Sequence, residues 1–173
     1  VRIGTLLSCV EMMLSGTTTC CDGYFFENQV AEAVKKTGMR AVLGHGIIDF
    51  PAPGAPDPIQ NLQNVEIFMD TWQGQSKLIT PSVFCHSPYT CSAETLKAAK
   101  AAAANRGLLF QIHAAETRAE LDETMSKQGV SPIMYLDQIG ILDEQTLLVH
   151  AVWIDTHDIE RIARRGAKVS HNP

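Results

Sequence analysis

The sequence predicts a parallel α/β fold, and three observations carry that reading. Apolar, β-branched runs alternate with helix-period segments along all 173 residues, with no internal repeat and no low-complexity tract. The apolar runs are continuous rather than alternating, which suits strands covered on both faces. With 45% hydrophobic and 19% charged residues, the chain has the composition of a globular domain, and its length is enough to bury roughly 70% of the unfolded surface.

A first helix is expected from about Thr5 to Leu14, stopped at Ser15 and Gly16, before a strand over Thr17 to Asp22. A second, Asn28 to Thr37, places Val30, Ala33 and Val34 on one stripe, ends at Gly38 and feeds the strand Arg40 to His45. Four prolines between Pro51 and Pro58 remove backbone donors and bias their predecessors away from helix, so this stretch reads as a loop over one end of the sheet. A helix from about Leu62 to Trp72 and a strand from Leu78 to Phe84 come next. Ser92 caps an alanine-rich helix with Glu94 in its first turn, and Gly107 stops it before the strand Leu108 to His113. A long helical region near Ala119 to Ile139 precedes the strand Thr146 to His150. Asp155 or Thr156 then caps a helix in which Ile159, Ile162 and Ala163 share a face, and Gly166 ends it before the last apolar run, Ala167 to Pro173.

About six strands and six helices fall short of a closed parallel barrel, which has eight strands in roughly 250 residues. The chain starts on Val1 and stops directly after a strand-like run, so both ends are expected to be cut. A net charge of −5 without a basic stripe argues against nucleic acid as a partner. The apolar runs are broken well before the ~20 residues that cross a bilayer, so no membrane span is expected. Five cysteines form neither a disulfide framework nor paired zinc knuckles, which suggests a reducing cytoplasm. They read as small buried hydrophobes rather than nucleophiles.

The chemistry-bearing pattern is that four of the six histidines, His86, His113, His150 and His171, each follow an apolar run. In parallel α/β folds ligands bind at the carboxyl ends of the strands, so these side chains are expected to converge on one mouth. A strand-end histidine taken singly is more often a hydrogen-bonded packing residue, and His45 is read that way. His157, in a helix's first turn, reads as solvated.

His113 and Glu116 form the sharpest pair. A neutral imidazole ligates zinc, and a carboxylate three positions on could lie beside the metal and shuttle protons. Glu116 could equally be a first-turn acid that favours the helix dipole. His150 could hydrogen-bond an atom that becomes charged during reaction, or be a second metal ligand. His86, in a loop, suits substrate contact.

The segments Glu11 to Thr19, His86-Ser87-Pro88-Tyr89-Thr90-Cys91-Ser92, Ile112-His113-Ala114-Ala115-Glu116-Thr117, Val149 to Trp153 and Ser170 to Pro173 resemble the amidohydrolase superfamily. They are most similar to its S-adenosylhomocysteine and 5-methylthioadenosine deaminases and to the related chlorohydrolase and triazine hydrolase branch. The resemblance implies an incomplete TIM (β/α)8 barrel, about strands 2 to 7, with residues 1–173 forming part of one barrel domain and the flanking β-sandwich absent. It implies attack of metal-activated water on a purine-type ring carbon with loss of ammonia, the metal being zinc, on S-adenosylhomocysteine, 5-methylthioadenosine or adenosine. His113 would be the metal ligand, Glu116 the acid/base that also meets the substrate, His150 the residue that orients the nucleophile or holds the substrate, and His86 a substrate contact. A triazine or chlorinated substrate on the same scaffold is the alternative, and an inactive scaffold that assembles through open edges, as a homo-oligomer, is another. The family's His-x-His pair and its eighth-strand Asp have no counterpart here, so the chain alone is expected to bind metal weakly.

Overall fold

The structure, a computed structural model, describes residues 1–54 and 56–173; Ala55, within the proline-rich stretch, lies outside the described residues. Six strands, β1 (Thr19–Tyr24), β2 (Arg40–Ile47), β3 (Ile79–Cys85), β4 (Phe110–Ala114), β5 (Thr146–His150) and β6 (Lys168–Ser170), lie in sequence order in one sheet. Every neighbouring pair is parallel. Parallel neighbours need crossovers, and these are α2 (Glu27–Thr37), α3 (Asn61–Trp72), α4 (Ala93–Asn105), the pair α5 (Arg118–Gln128) and α6 (Pro132–Gln138), and α7 (Thr156–Arg165), with α1 (Arg2–Leu14) ahead of β1. Strictly sequential order without a switch point curls the sheet into part of a (β/α) barrel.

The convex side of the sheet is sealed by the helices. Leu43 on β2 packs with Val30, Ala31 and Val34 of α2 and Phe68 of α3, while Val83, Phe110, Ile112 and Leu148 pack with Leu96 and Ala99 of α4 and Leu136 of α6. Each fully buried Leu, Ile or Phe in these clusters contributes about 1.5–3 kcal/mol. His45 belongs to this layer, buried, with its ring 5.9 Å from that of Phe68; burial lowers its pKa from the ordinary value.

The concave side carries a polar group beside an aromatic ring. Gly44 is needed there because a Cβ would stand 2.6 Å from the Cβ of Phe84, whose ring lies over Gly23 of β1. Beside it the Cys21 thiol donates to Gln111 Oε1 at 3.0 Å, and Gln111 Nε2 donates to Ser82 Oγ at 2.6 Å.

Several boundaries differ from the sequence reading. The region near Ala119 to Ile139 is two helices, because Gly129 takes a left-handed φ of 73° and Ser131 caps a new helix with Pro132 at its start. The first helix begins at Arg2, and β1 runs two residues later than expected. Of the cysteines, Cys9, Cys85 and Cys91 are buried, but Cys20 is half-buried against the helix-covered side of β1 and Cys21, on the concave side, is exposed. No helix among the described residues is long and apolar enough to cross a membrane.

Candidate metal and catalytic site

Three strand ends meet at one mouth. Just past β3, His86 holds its Nδ1 2.9 Å from Thr90 Oγ1 and 3.2 Å from Ser87 Oγ. The β4 residue His113 stands beside it with ring centroids 5.3 Å apart, and His150, the last residue of β5, follows at 5.1 Å. Glu116, three residues beyond His113, closes the group: ligand atoms of His113, Glu116 and His150 all lie within 4.8 Å of one another.

The backbone is bent to bring this about. His150 has φ 80°, Ala151 φ 48° and Ala115 φ 54°, a left-handed region that residues with a Cβ rarely adopt. Three of the four non-glycine residues with positive φ among those described therefore flank the two loops of the site. Such strain persists only where surrounding contacts over-determine it. Here Ala151 N–H donates to the Ala114 carbonyl at 3.0 Å, and Val152 and Trp153 N–H both donate to the Ala115 carbonyl, at 2.9 and 2.8 Å.

Hydrogen bonds also set which atoms face inward. His150 Nδ1 lies 2.9 Å from the Asn172 carbonyl, which only accepts, so Nδ1 carries the hydrogen and Nε2 is left facing Glu116 Oε1 at 3.6 Å. His171, the fourth strand-end histidine, uses Nδ1 to donate to the His150 carbonyl at 2.9 Å and so braces the bend rather than joining the inward group. His157 is exposed on α7.

Burial, with the neighbouring His86 and His150 charges, pushes the His113 pKa down to about 4, against an opposing pull from Glu116. His86 is lowered by burial as well, again opposed by Glu116. His113 is therefore neutral near pH 7, the form in which an imidazole binds a metal. The two imidazoles suit a divalent ion such as zinc and supply part of its donor set, with the Glu116 carboxylate beside them.

The sequence reading did not single out Glu120. This buried carboxylate accepts from Ala115 N–H and Glu116 N–H, each at 2.8 Å, while Thr117 Oγ1 accepts from Glu120 N–H at 3.1 Å. Burial raises its pKa, opposed by those backbone donors. The signal was present as Thr117-x-x-Glu120, the capping-box spacing.

Residues 1–173 match the amidohydrolase family. The chain is 41% identical over 173 residues to a 5-methylthioadenosine/S-adenosylhomocysteine deaminase of Aquifex aeolicus, covering 100% of this chain and 40% of that protein. It is 41% identical over 172 residues to a 5'-deoxyadenosine deaminase of Methanopyrus kandleri, covering 99% and 39%. Among solved structures, an adenosine deaminase from Xanthomonas campestris with bound zinc superimposes with a TM-score of 0.94 at 29% identity, over 99% of this chain and 39% of that one. An atrazine chlorohydrolase from Arthrobacter aurescens, complexed with zinc, shares the fold with a TM-score of 0.87 at 17% identity, over 98% and 42%. The chain thus spans about 40% of the length of the relatives it matches.

Proposed function

The chain belongs to the amidohydrolase family, and from that premise we propose that it carries part of the catalytic centre of a metal-dependent aminohydrolase. The reaction replaces the ring amino group of an adenosine-type nucleoside by oxygen and releases ammonia. The substrates are 5-methylthioadenosine, S-adenosylhomocysteine or a related 5'-substituted adenosine. The observation that carries this reading is the grouping of His113, Glu116 and His150 within 4.8 Å at the carboxyl ends of adjacent strands. The two deaminase relatives at 41% identity support the choice of substrate class.

His113 and the inward Nε2 of His150 would hold the metal, which when bound supplies Lewis-acid polarisation of a water at neutral pH. Glu116 would take a proton from the attacking water at its carboxylate and give it to the departing amino nitrogen, so one side chain would serve both halves of the transfer. The His150 bend keeps Nε2 aimed at this carboxylate because Nδ1 is committed to Asn172. His86 lies on the far side of His113, beside the half-exposed Tyr89, with ring centroids 6.1 Å apart, and meets the substrate there.

The test is ammonia release by the complete, zinc-loaded protein from a panel of adenosine derivatives, with a chlorinated triazine as the competing substrate. Turnover of the triazine alone would transfer the chain to the chlorohydrolase branch. Turnover of neither would leave it a scaffold.

A further inference from the structure

Glu120 sits in the first turn of α5 and is only 3% exposed. A carboxylate at such depth is costly unless its oxygens are met. Both are met by backbone: one oxygen accepts from Ala115 N–H and the other from Glu116 N–H, each at 2.8 Å. A capping box would have Thr117 Oγ1 accept from Glu120 N–H, as it does, and the carboxylate return to the N–H of Thr117, whereas here its oxygens accept from the two residues before Thr117. The carboxylate reaches back past the helix start to residues outside it.

What it grips there is the turn that joins the two halves of the site. Ala115 is held at φ 54°, its N–H on Glu120 and its carbonyl on the Val152 and Trp153 amides. Those amides follow His150 and Ala151, which are themselves left-handed at φ 80° and 48°. A single buried carboxylate therefore fixes one side of the Ala115 peptide unit, and the other side fixes the loop that aims His150. Without it, the Ala115 and Glu116 amides lose their acceptors, and the turn whose carbonyl receives the Val152 and Trp153 amides is held from one side only.

The geometry points to Glu120 as a positioning residue that sets Glu116 and His150 in register with each other. This rests on the reading of Glu116 as the proton-transfer group. Glu120 touches neither substrate nor metal; it acts through the Ala115 and Glu116 amides. A displacement of about 1 Å in a reacting group can lower a rate by about 100-fold.

Glu120→Gln tests it, because the amide keeps one acceptor and turns its NH2 toward a backbone donor. The complete protein is assayed well below the variant's own melting temperature, with bound metal measured alongside. The expected result is a fall in kcat of about tenfold to 100-fold with KM within about threefold and metal content unchanged. A wild-type kcat in folded Glu120→Gln, with only a lower melting temperature, overturns the proposal and leaves a structural cap. If Glu120→Gln does not fold, Glu120→Asp keeps the charge but shortens the reach; the same loss of kcat at unchanged KM is expected, and a wild-type kcat overturns it. Glu116→Gln is measured in parallel. Full turnover there removes the reading of Glu116 and this proposal with it, whereas loss in Glu116→Gln beside full kcat in Glu120→Gln removes the positioning role alone.

Discussion

His150 turns its Nε2 to within 3.6 Å of Glu116 Oε1 while its Nδ1 donates to the Asn172 carbonyl at 2.9 Å. The two side chains come from different strand ends and face each other only because His150 and Ala151 adopt left-handed backbone. A regular strand would send the residue after Val149 to the opposite face of the sheet. The bend thus converts a position that would pack against helices into one that joins the mouth.

Glu116→Gln is expected to lower turnover by about 100-fold or more with metal retained, since the amide cannot take and return a proton. Steady-state kinetics with metal analysis on the same preparation checks this. Unchanged turnover removes Glu116 from the mechanism.

His113→Ala is expected to lower bound zinc, because it deletes the most central donor of the group. Treating the wild-type protein with a chelator should abolish turnover, and added zinc should restore it. Full zinc occupancy in the variant contradicts the assignment of His113.

Glu27 supplies a test of stability away from the site. It is fully buried in the first turn of α2, and burial, with Asp22 adding to it and the Tyr24 backbone opposing, pushes its pKa up to about 9. The folded state therefore holds a proton that the unfolded chain releases near pH 4.5. The stability this contributes is fully present below pH 4.5 and is lost as pH rises through about 9. Glu27→Gln should raise the melting temperature by a few °C at pH 8 and change it little at pH 4. An equal shift at both values contradicts the buried neutral carboxyl.

Asp137 ties α6 to α7 by accepting from Arg161 and Arg165, both at 2.6 Å. The two guanidinium groups hold its carboxyl below the usual range, although burial opposes them. Its stabilising effect is present above the unfolded value of 3.8 and is lost as pH falls through the lower folded value. Asp137→Asn should cost about 1–2 kcal/mol at pH 7, discounted because Arg165 is half exposed. Urea unfolding at unchanged m-value measures it; a loss that persists undiminished at pH 2 argues against an ionic origin.

The alternation of apolar runs and helical stripes made the parallel order of the strands legible, because burial on both faces leaves the same mark in every strand. The strand-end histidines were legible for a related reason, since a polar residue after a continuous apolar run marks where the chain leaves the sheet. The left-handed bend at His150 and Ala151 was not, because neither residue type signals positive φ. Glu120 was hidden because its spacing reads as an ordinary helix cap, and only the folded chain shows that its oxygens reach back to Ala115 and Glu116. The break at Gly129 was overlooked although Gly129 and Ser131-Pro132 carried a stop and a start in sequence.

Deamination is tested most directly by the product balance of the complete zinc-loaded protein with 5-methylthioadenosine. One ammonia is expected per nucleoside consumed, with oxygen in place of the ring amino group, and both are lost on Glu116→Gln. No ammonia from any adenosine derivative, with zinc bound and the protein folded, would contradict it.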